Sequence, residues 1–278
     1  PPAKGMDMAC YTPPSRDLLD PSMYLDINSY VPPIGIETKR GCTFHCAYCV
    51  YPSLQGKKFR CRPPSAVVDE LEFLNREYGV KRFHFTDPIV NFPRGHMEDI
   101  CLEILRRKLK IKWDGFIREN GFDEKNAALF ERSGCECFSF SPDGLCQESL
   151  DVLGKGLTED IVLKAARIAA KTDVISVCHF MVNVPGETSE TCDKGLLFIE
   201  RLYEIHSRKK SLGTVVLNNI RIMPGTPIEA MAREKGVIGP ETDLLYPTYY
   251  NPKPFDTFRY RLETMHLHEN IFMWQGMR

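Results

Sequence analysis

What the 278 residues lack narrows the field first. No apolar run approaches the ~18 residues needed to cross a bilayer. The longest greasy stretch, residues 174–185, carries His179 and Asn183. No secretory leader is visible and no Asn-x-Ser/Thr acceptor occurs, so a cytoplasmic location is expected. The chain opens at Pro1 rather than Met, as a processed chain, a trimmed chain or a fragment does. An excess of one charge is also missing. Lys and Arg number 36 against 37 Asp and Glu, a net charge of −1, which excludes a general polyanion binder and speaks against a nucleic-acid partner. Neither Gly-x-Gly-x-x-Gly, nor Gly-x4-Gly-Lys-Ser/Thr, nor His-Glu-x-x-His is present, which argues against dinucleotide, P-loop and zinc-protease chemistry.

Cysteine is not scarce. There are 11, an odd number, in a chain long enough to bury a core without staples, so a disulfide framework is not expected. Most read as small buried hydrophobes. Cys135, Cys137 and Cys178 fit that reading better than a second metal site. His266 and His268 read as a solvated pair on a tail. The remaining three cysteines lie close together in Cys42-Thr43-Phe44-His45-Cys46-Ala47-Tyr48-Cys49.

The hydrophobic rhythm places that segment. Short apolar runs at 34–38, 82–87, 111–118, 137–141, 174–184 and 214–223 read as strands. Amphipathic stretches at 64–78, 95–108, 124–133, 158–171, 188–205 and 227–235 read as helices, with Gly79, Gly134 and Gly236 as stops. Six strand–helix units make an α/β protein with a parallel sheet, either open and doubly wound or an incomplete barrel. Both architectures put their sites at the C-terminal ends of the strands. There the sequence sets the cysteine triplet, then Thr86-Asp87-Pro88, Arg118, Ser141-Pro142-Asp143, Pro185-Gly186-Glu187 and Pro224-Gly225.

Three thiolates spaced Cys-x3-Cys-x2-Cys on one short loop suit a soft metal centre, an iron–sulfur cluster or zinc. Structural zinc wants four closed ligands. His45 as the fourth would have to face the same ion as its neighbour Cys46. Three ligands on a four-iron cube leave one iron open to a further molecule.

The triplet, at the end of the first of six parallel strands, resembles the cluster motif of the radical S-adenosylmethionine (SAM) superfamily. The resemblance implies a partial (β/α)6 TIM-type barrel at 34–236, with an N-terminal arm at 1–33 and a C-terminal extension at 237–278. It implies that Cys42, Cys46 and Cys49 hold a [4Fe-4S] cluster whose fourth iron takes the amine and carboxylate of SAM. An external donor of the flavodoxin or ferredoxin type would supply the electron that cleaves SAM to a 5′-deoxyadenosyl radical. Tyr48 matches an aromatic near the adenine, or packs. Asp87 stands where a Gly-Gly-Glu-like motif receives the SAM amine, although the glycines are missing. Ser141 and Asp143 match polar residues at the ribose, with helix capping as the rival role. Pro185 and Gly186 match a motif along the adenine, which Met223 flanks or merely packs near. Arg118 or Arg221 suits the SAM carboxylate.

Arg16-Asp17-Leu18-Leu19-Asp20, Thr38-Lys39-Arg40-Gly41-Cys42, Cys49-Val50-Tyr51-Pro52, Leu153-Gly154-Lys155-Gly156 and Pro185-Gly186-Glu187-Thr188 resemble the subgroup that carries an N-terminal cobalamin domain. Many of its members are methyltransferases on small molecules; others close rings or rearrange their substrates. The 33 residues before the first strand are too few for that domain, and Asp-x-His-x-x-Gly is absent. Either cobalamin sits in a domain outside this chain or the protein works without it. Two alternatives stand beside this reading. One is a tRNA methylthiotransferase or elongator-like radical enzyme, against which the charge of −1 speaks. The other is a zinc-binding α/β protein without redox chemistry. The aromatic tail, with Tyr246, Tyr249, Tyr250, Phe255, Phe258, Tyr260, Phe272 and Trp274, is expected to close the barrel mouth, rim the pocket or dock on a partner domain.

Overall fold

The computed structural model describes residues 7–18, 22–25, 31–252 and 271–273. After a single-turn helix α1 (Ser22–Leu25), strand β1 (Gly35–Ile36) starts the sheet. The predicted strand 34–38 is cut short there. Asp87 takes the backbone N–H groups of Thr38 (2.8 Å) and Lys39 (3.1 Å) and pulls the chain out of the sheet. β2 (Lys39–Arg40) then pairs antiparallel with β3 (Arg60–Cys61), and the cysteine loop and a short helix, α2 (Tyr51–Gln55), lie between them. This hairpin and α2 have too few residues to show a period, and the sequence reading misses them.

The rest alternates as expected. It runs α3 (Pro64–Tyr78), β4 (Arg82–Phe85), α4 (His96–Arg106), β5 (Lys112–Ile117), α5 (Glu124–Arg132), β6 (Cys135–Asp143), α6 (Gln147–Val152), α7 (Glu159–Ala169), β7 (Ile175–Val182), α8 (Ser189–His206), β8 (Leu212–Arg221) and α9 (Pro227–Glu234). Local chemistry sets the boundaries. Gly79 ends α3 in the left-handed conformation, and the Thr158 and Thr188 hydroxyls cap the starts of α7 and α8. The sequence reading misses α6 and ends β6 at 141. The strand runs on to Asp143 through a register shift after Phe140, with Asp143 at φ 64°.

The sheet order is β1-β4-β5-β6-β7-β8, all parallel, a curled half-barrel with helices outside. Part of the C-terminal segment adds to it. β9 (Tyr249–Tyr250) pairs antiparallel with β8, and β10 (Ile271–Met273) extends the sheet parallel to β8. Phe272 lies on β10; Phe255, Phe258, Tyr260, His266, His268 and Trp274 lie outside the described residues. From the N-terminal arm, Arg16 donates to Gly35 O (2.9 Å), and the Tyr11 ring sits 4.3 Å from the Arg62 guanidinium.

Alternate residues of the strands face opposite ways, and the two faces differ in chemistry. Phe83, Phe85, Trp113, Phe138, Phe140 and Phe180 turn outward and form the core with the helices. Trp113 stacks edge-on to Phe85 and Phe130, and its indole N–H donates to Ser133 Oγ (3.2 Å). The opposite alternate positions face the barrel lumen, among them Arg82, Asp114, Cys137, His179, Thr214 and Asn218. Closed barrels of this type fill the lumen with layers of branched aliphatic residues. This one does not.

A buried histidine gives the fold a pH response. His206 at the end of α8 is 1% exposed, and its Nδ1 meets Ser211 Oγ at 2.8 Å. Burial lowers its pKa to about 4, below the ~6.5 of an unfolded chain. The unfolded state therefore binds the proton first. Stability is expected to be full above about pH 6.5 and to fall by roughly 3 kcal/mol as the pH drops toward 4. Urea denaturation of the wild type and of His206→Gln checks this. The variant should lose the slope in that window; an unchanged slope would assign it to other groups.

Candidate functional site

The cysteine loop is held on three sides. Ala47 N–H donates to Leu153 O (2.8 Å), and its carbonyl accepts from Ile228 N–H (3.1 Å), which ties the loop to the end of α6 and the start of α9. Cys42 N–H donates to Gly56 O (3.1 Å), and Gly41 N–H to Gln55 Oε1 (3.2 Å). Gly41 has φ +91°, and a Cβ there would lie 2.1 Å from Lys58 O. Gly41→Ala is expected to destabilise the chain by roughly 1–3 kcal/mol and to disorganise the loop. Thermal denaturation, with thiol accessibility of the triplet, measures both. A stable variant with unchanged accessibility would show that this close approach is dispensable.

Below the loop, at the C-terminal ends of β5, β6 and β7, lies a cleft of about 320 Å³. Cys42, Cys46, Cys49, Tyr48, Arg118, Ser141 and Asp143 all line it. The Tyr48 hydroxyl donates to Asp143 Oδ2, and Lys155 Nζ reaches the same oxygen at 2.8 Å. The three groups are largely or wholly sequestered from solvent, and burial, then the Asp143 charge, raises the Tyr48 phenol well above its ordinary range. Burial works against the Lys155 ammonium, but Asp143 together with the charges of Cys46 and Glu119 outweighs it and the pKa is raised. Phenol and ammonium both stay protonated at neutral pH, as donors on one carboxylate. The Arg118 guanidinium lies 3.9 Å over the Phe44 ring and donates through Nε to Asn120 Oδ1 (3.1 Å) and through Nη2 to Lys155 O. It braces the cysteine loop against the segment that carries Lys155.

Five sequence candidates do not line the cleft. Asp87 is buried and turned inward. It accepts from the Thr38 hydroxyl (2.5 Å) as well as the two backbone groups, with Lys39 Nζ 3.7 Å away. Pro185 and Gly186 sit in the turn after β7, where the Glu187 carboxylate accepts from Asn183 N–H (3.0 Å). Arg221 is exposed at the end of β8 in register with Tyr249. The Met223 carbonyl accepts from Thr226 Oγ1 (2.7 Å) at the cap of α9. Of the two candidate arginines, only Arg118 reaches the cleft.

Conversely, Phe44, Phe116, Lys155, His179, Met181 and Asn218 line the cleft without having been picked out as site residues. Lys155 had a signal in its two flanking glycines, which mark a tight loop. His179 and Asn218 had one in the polar alternation of β7 and β8. Glu119, beside Arg118, is also buried, with neither carboxylate oxygen partnered among the described residues, and burial raises its pKa to about 7.

The donor set can be tested for fit to a metal centre. Burial raises the Cys42 and Cys49 thiols, and a neighbouring Cys46 thiolate raises both further. Three thiolates here therefore repel one another in a poorly solvated place and need a cationic centre to offset them. Among the described residues no three His, Cys, Asp or Glu side chains converge as ligands of a single ion do. A four-iron cube takes each thiolate on a different iron and does not need them to converge on one point.

The chain as a whole is similar to known proteins. An uncharacterized methyltransferase of Pyrococcus horikoshii is 31% identical over 190 residues, 68% of this chain and 41% of that protein. An anaerobic magnesium-protoporphyrin IX monomethyl ester cyclase of Rubrivivax gelatinosus is 28% identical over 157 residues, 56% of this chain and 28% of that protein. The chain thus spans less than half the length of these relatives. Among solved structures, a radical SAM methyltransferase from Kitasatospora setae with cobalamin and a [4Fe-4S] cluster bound superposes with a TM-score of 0.65 at 23% identity, over 80% of this chain and 44% of that one. That likeness establishes the fold. No helix among the described residues is long and apolar enough to cross a membrane. The sequence profile of the radical SAM superfamily matches residues 36–199, more than half of the chain, and the protein belongs to that superfamily.

Proposed function

We propose that this chain is the catalytic core of a cobalamin-dependent radical SAM methyltransferase acting on a small organic molecule. The observation that carries the cofactor assignment is the convergence of the three cysteines with Tyr48, Asp143, Lys155 and Arg118 on one cleft. Cys42, Cys46 and Cys49 would hold a [4Fe-4S] cluster, which supplies the electron that cleaves SAM. The protein positions and shields that chemistry. Asp143, fixed between Tyr48 and Lys155, offers a carboxylate to the ribose hydroxyls, and Ser141 a hydroxyl beside it. Among the described residues Arg118 carries the one guanidinium in the cleft, and it suits the SAM carboxylate. The cysteine loop roofs the cleft and limits the access of water.

Membership of the superfamily sets aside the non-redox zinc reading. Methyl transfer rests on the relative from Pyrococcus horikoshii and on the subgroup phrases; ring formation, the activity named for the relative from Rubrivivax gelatinosus, is the second reading. Cobalamin would belong to a domain outside these residues, with the core at 34–236 and the extension at 237–278 packing on it. A flavodoxin- or ferredoxin-type donor would deliver electrons. The test is anaerobic purification from the native cells, the cobalamin absorbance spectrum, and mass spectrometry of small-molecule products made with methyl-deuterated SAM. Bound cobalamin and a deuteromethylated product are expected. Neither cobalamin nor a labelled product would overturn methyl transfer and favour ring formation.

A further inference from the structure

The lumen holds a second space, about 850 Å³, on the far side of the sheet's midline from the cysteines. It reaches the N-terminal ends of the strands, where Arg82 opens β4 and Ile175 opens β7, and both are exposed. Its upper wall, formed by Phe116, His179 and Asn218, also lines the cleft under the cysteines. The two spaces therefore lie on either side of these three side chains inside the barrel. A concavity of this size with an apolar lining and a few convergent polar groups is what small-molecule sites look like.

The polar groups have a definite arrangement. Asp114 is 5% exposed in mid-strand, and its Oδ1 is 2.6 Å from His84 Nδ1 on the adjacent strand. Its second oxygen has no partner among the described residues. Among the described residues the chamber's other charges are Arg82 and Glu136, paired with each other at 2.6 Å, and the Asp114 charge also acts on Arg82. Asp114 is the carboxylate that keeps an oxygen open to the chamber, and it calls for a donor or a cation. That oxygen lies where a ligand's donor can reach it. Phe116 and Val177, with Val216 opposite, provide the apolar wall.

We propose that this lower chamber binds an amine- or N–H-bearing molecule with a flat or elongated apolar body, its donor on Asp114 and its other end under Phe116 and His179, facing the cleft. His84 holds the other Asp114 oxygen from the adjacent strand. The inference gives the proposed reaction a substrate class. It rests on that reading for what happens to the bound molecule, but binding itself needs no cluster.

The test uses 4-phenylbutylamine and 4-phenylbutyrate, two probes with the same body and opposite end groups, in calorimetric titrations of the whole chain. Both the wild type and Cys46→Ala are titrated. The amine is expected to bind saturably and the acid not, with equal affinity in both proteins. Asp114→Asn should weaken the amine by at least roughly tenfold, the usual loss for a hydrogen bond to a charged group. Val216→Phe, which narrows the chamber from β8 and leaves Asp114 itself unchanged, should abolish binding, and circular dichroism checks that both variants fold. Equal binding of acid and amine, no binding of either, or an amine affinity unmoved by both variants would overturn the proposal. A reconstituted wild-type chain that takes up no iron but still binds the amine would instead count against the cluster assignment alone.

Discussion

Replacing Cys46 by alanine is expected to remove the iron. Reconstituted anaerobically, the wild-type chain should hold about four irons and the variant fewer than one, because a cube held by only two protein thiolates is open to solvent on two irons. Cys46 sits at the centre of the loop, and its charge acts on both Cys42 and Cys49. Loss of an outer-shell partner at a metal site costs ~10–100-fold, so loss of a ligand should cut reductant-driven formation of 5′-deoxyadenosine by at least roughly 100-fold. Cys61 is the control. It lies next to the loop on β3, in register with Lys39, but does not line the cleft. Cys61→Ser should keep its iron. Equal iron in Cys46→Ala and the wild type would remove the triplet from the cofactor site.

The second large effect concerns stability. Asp87→Ala is expected to destabilise the chain by about 3–5 kcal/mol, the usual result of stranding one member of a buried ion pair. Lys39 is wholly buried; burial lowers its pKa while Asp87 opposes the change, and its ammonium donates to Val90 O (2.6 Å) and Phe92 O (2.9 Å). Removing the carboxylate leaves that charge without its counterion. It also frees the Thr38 and Lys39 backbone groups that turn the chain into the cysteine loop. Urea denaturation measures the loss, and Lys39→Met in the same chain should recover part of it. A change under about 1 kcal/mol with SAM affinity weakened tenfold or more would contradict this clamp and restore Asp87 to the SAM amine.

The two predictions also mark where the sequence was readable. Long periodic segments such as 64–78 and 188–205 were legible because 3.6-residue spacing over several turns has few competing readings, and caps such as Gly79 and Thr188 gave their ends. The parallel α/β sheet followed from the alternation, which left an open sheet and an incomplete barrel equal; the partial barrel came from the resemblance carried by the cysteine triplet. The triplet was legible because its spacing on a short loop after the first strand is chemically specific. Asp87 was not, because a carboxylate at a strand end looks the same whether it meets a ligand or clamps the backbone of Thr38. Arg118 and Arg221 were likewise equal on sequence; only the curl of the sheet brings one into the cleft and leaves the other exposed. Lys155 lay between elements with no period to place it. The polar lumen was present in strands such as 175–182, where His179 sits among apolar residues, but the facing of a strand is fixed only once its neighbours pair.

The measurement that bears most directly on the central claim is the iron and acid-labile sulfide content of the anaerobically reconstituted chain, combined with a dithionite-driven assay of SAM cleavage. The expected result is a brown protein with about four irons and four sulfides per chain that converts SAM to 5′-deoxyadenosine and methionine. A colourless protein that takes up zinc in place of iron and leaves SAM intact would contradict the account.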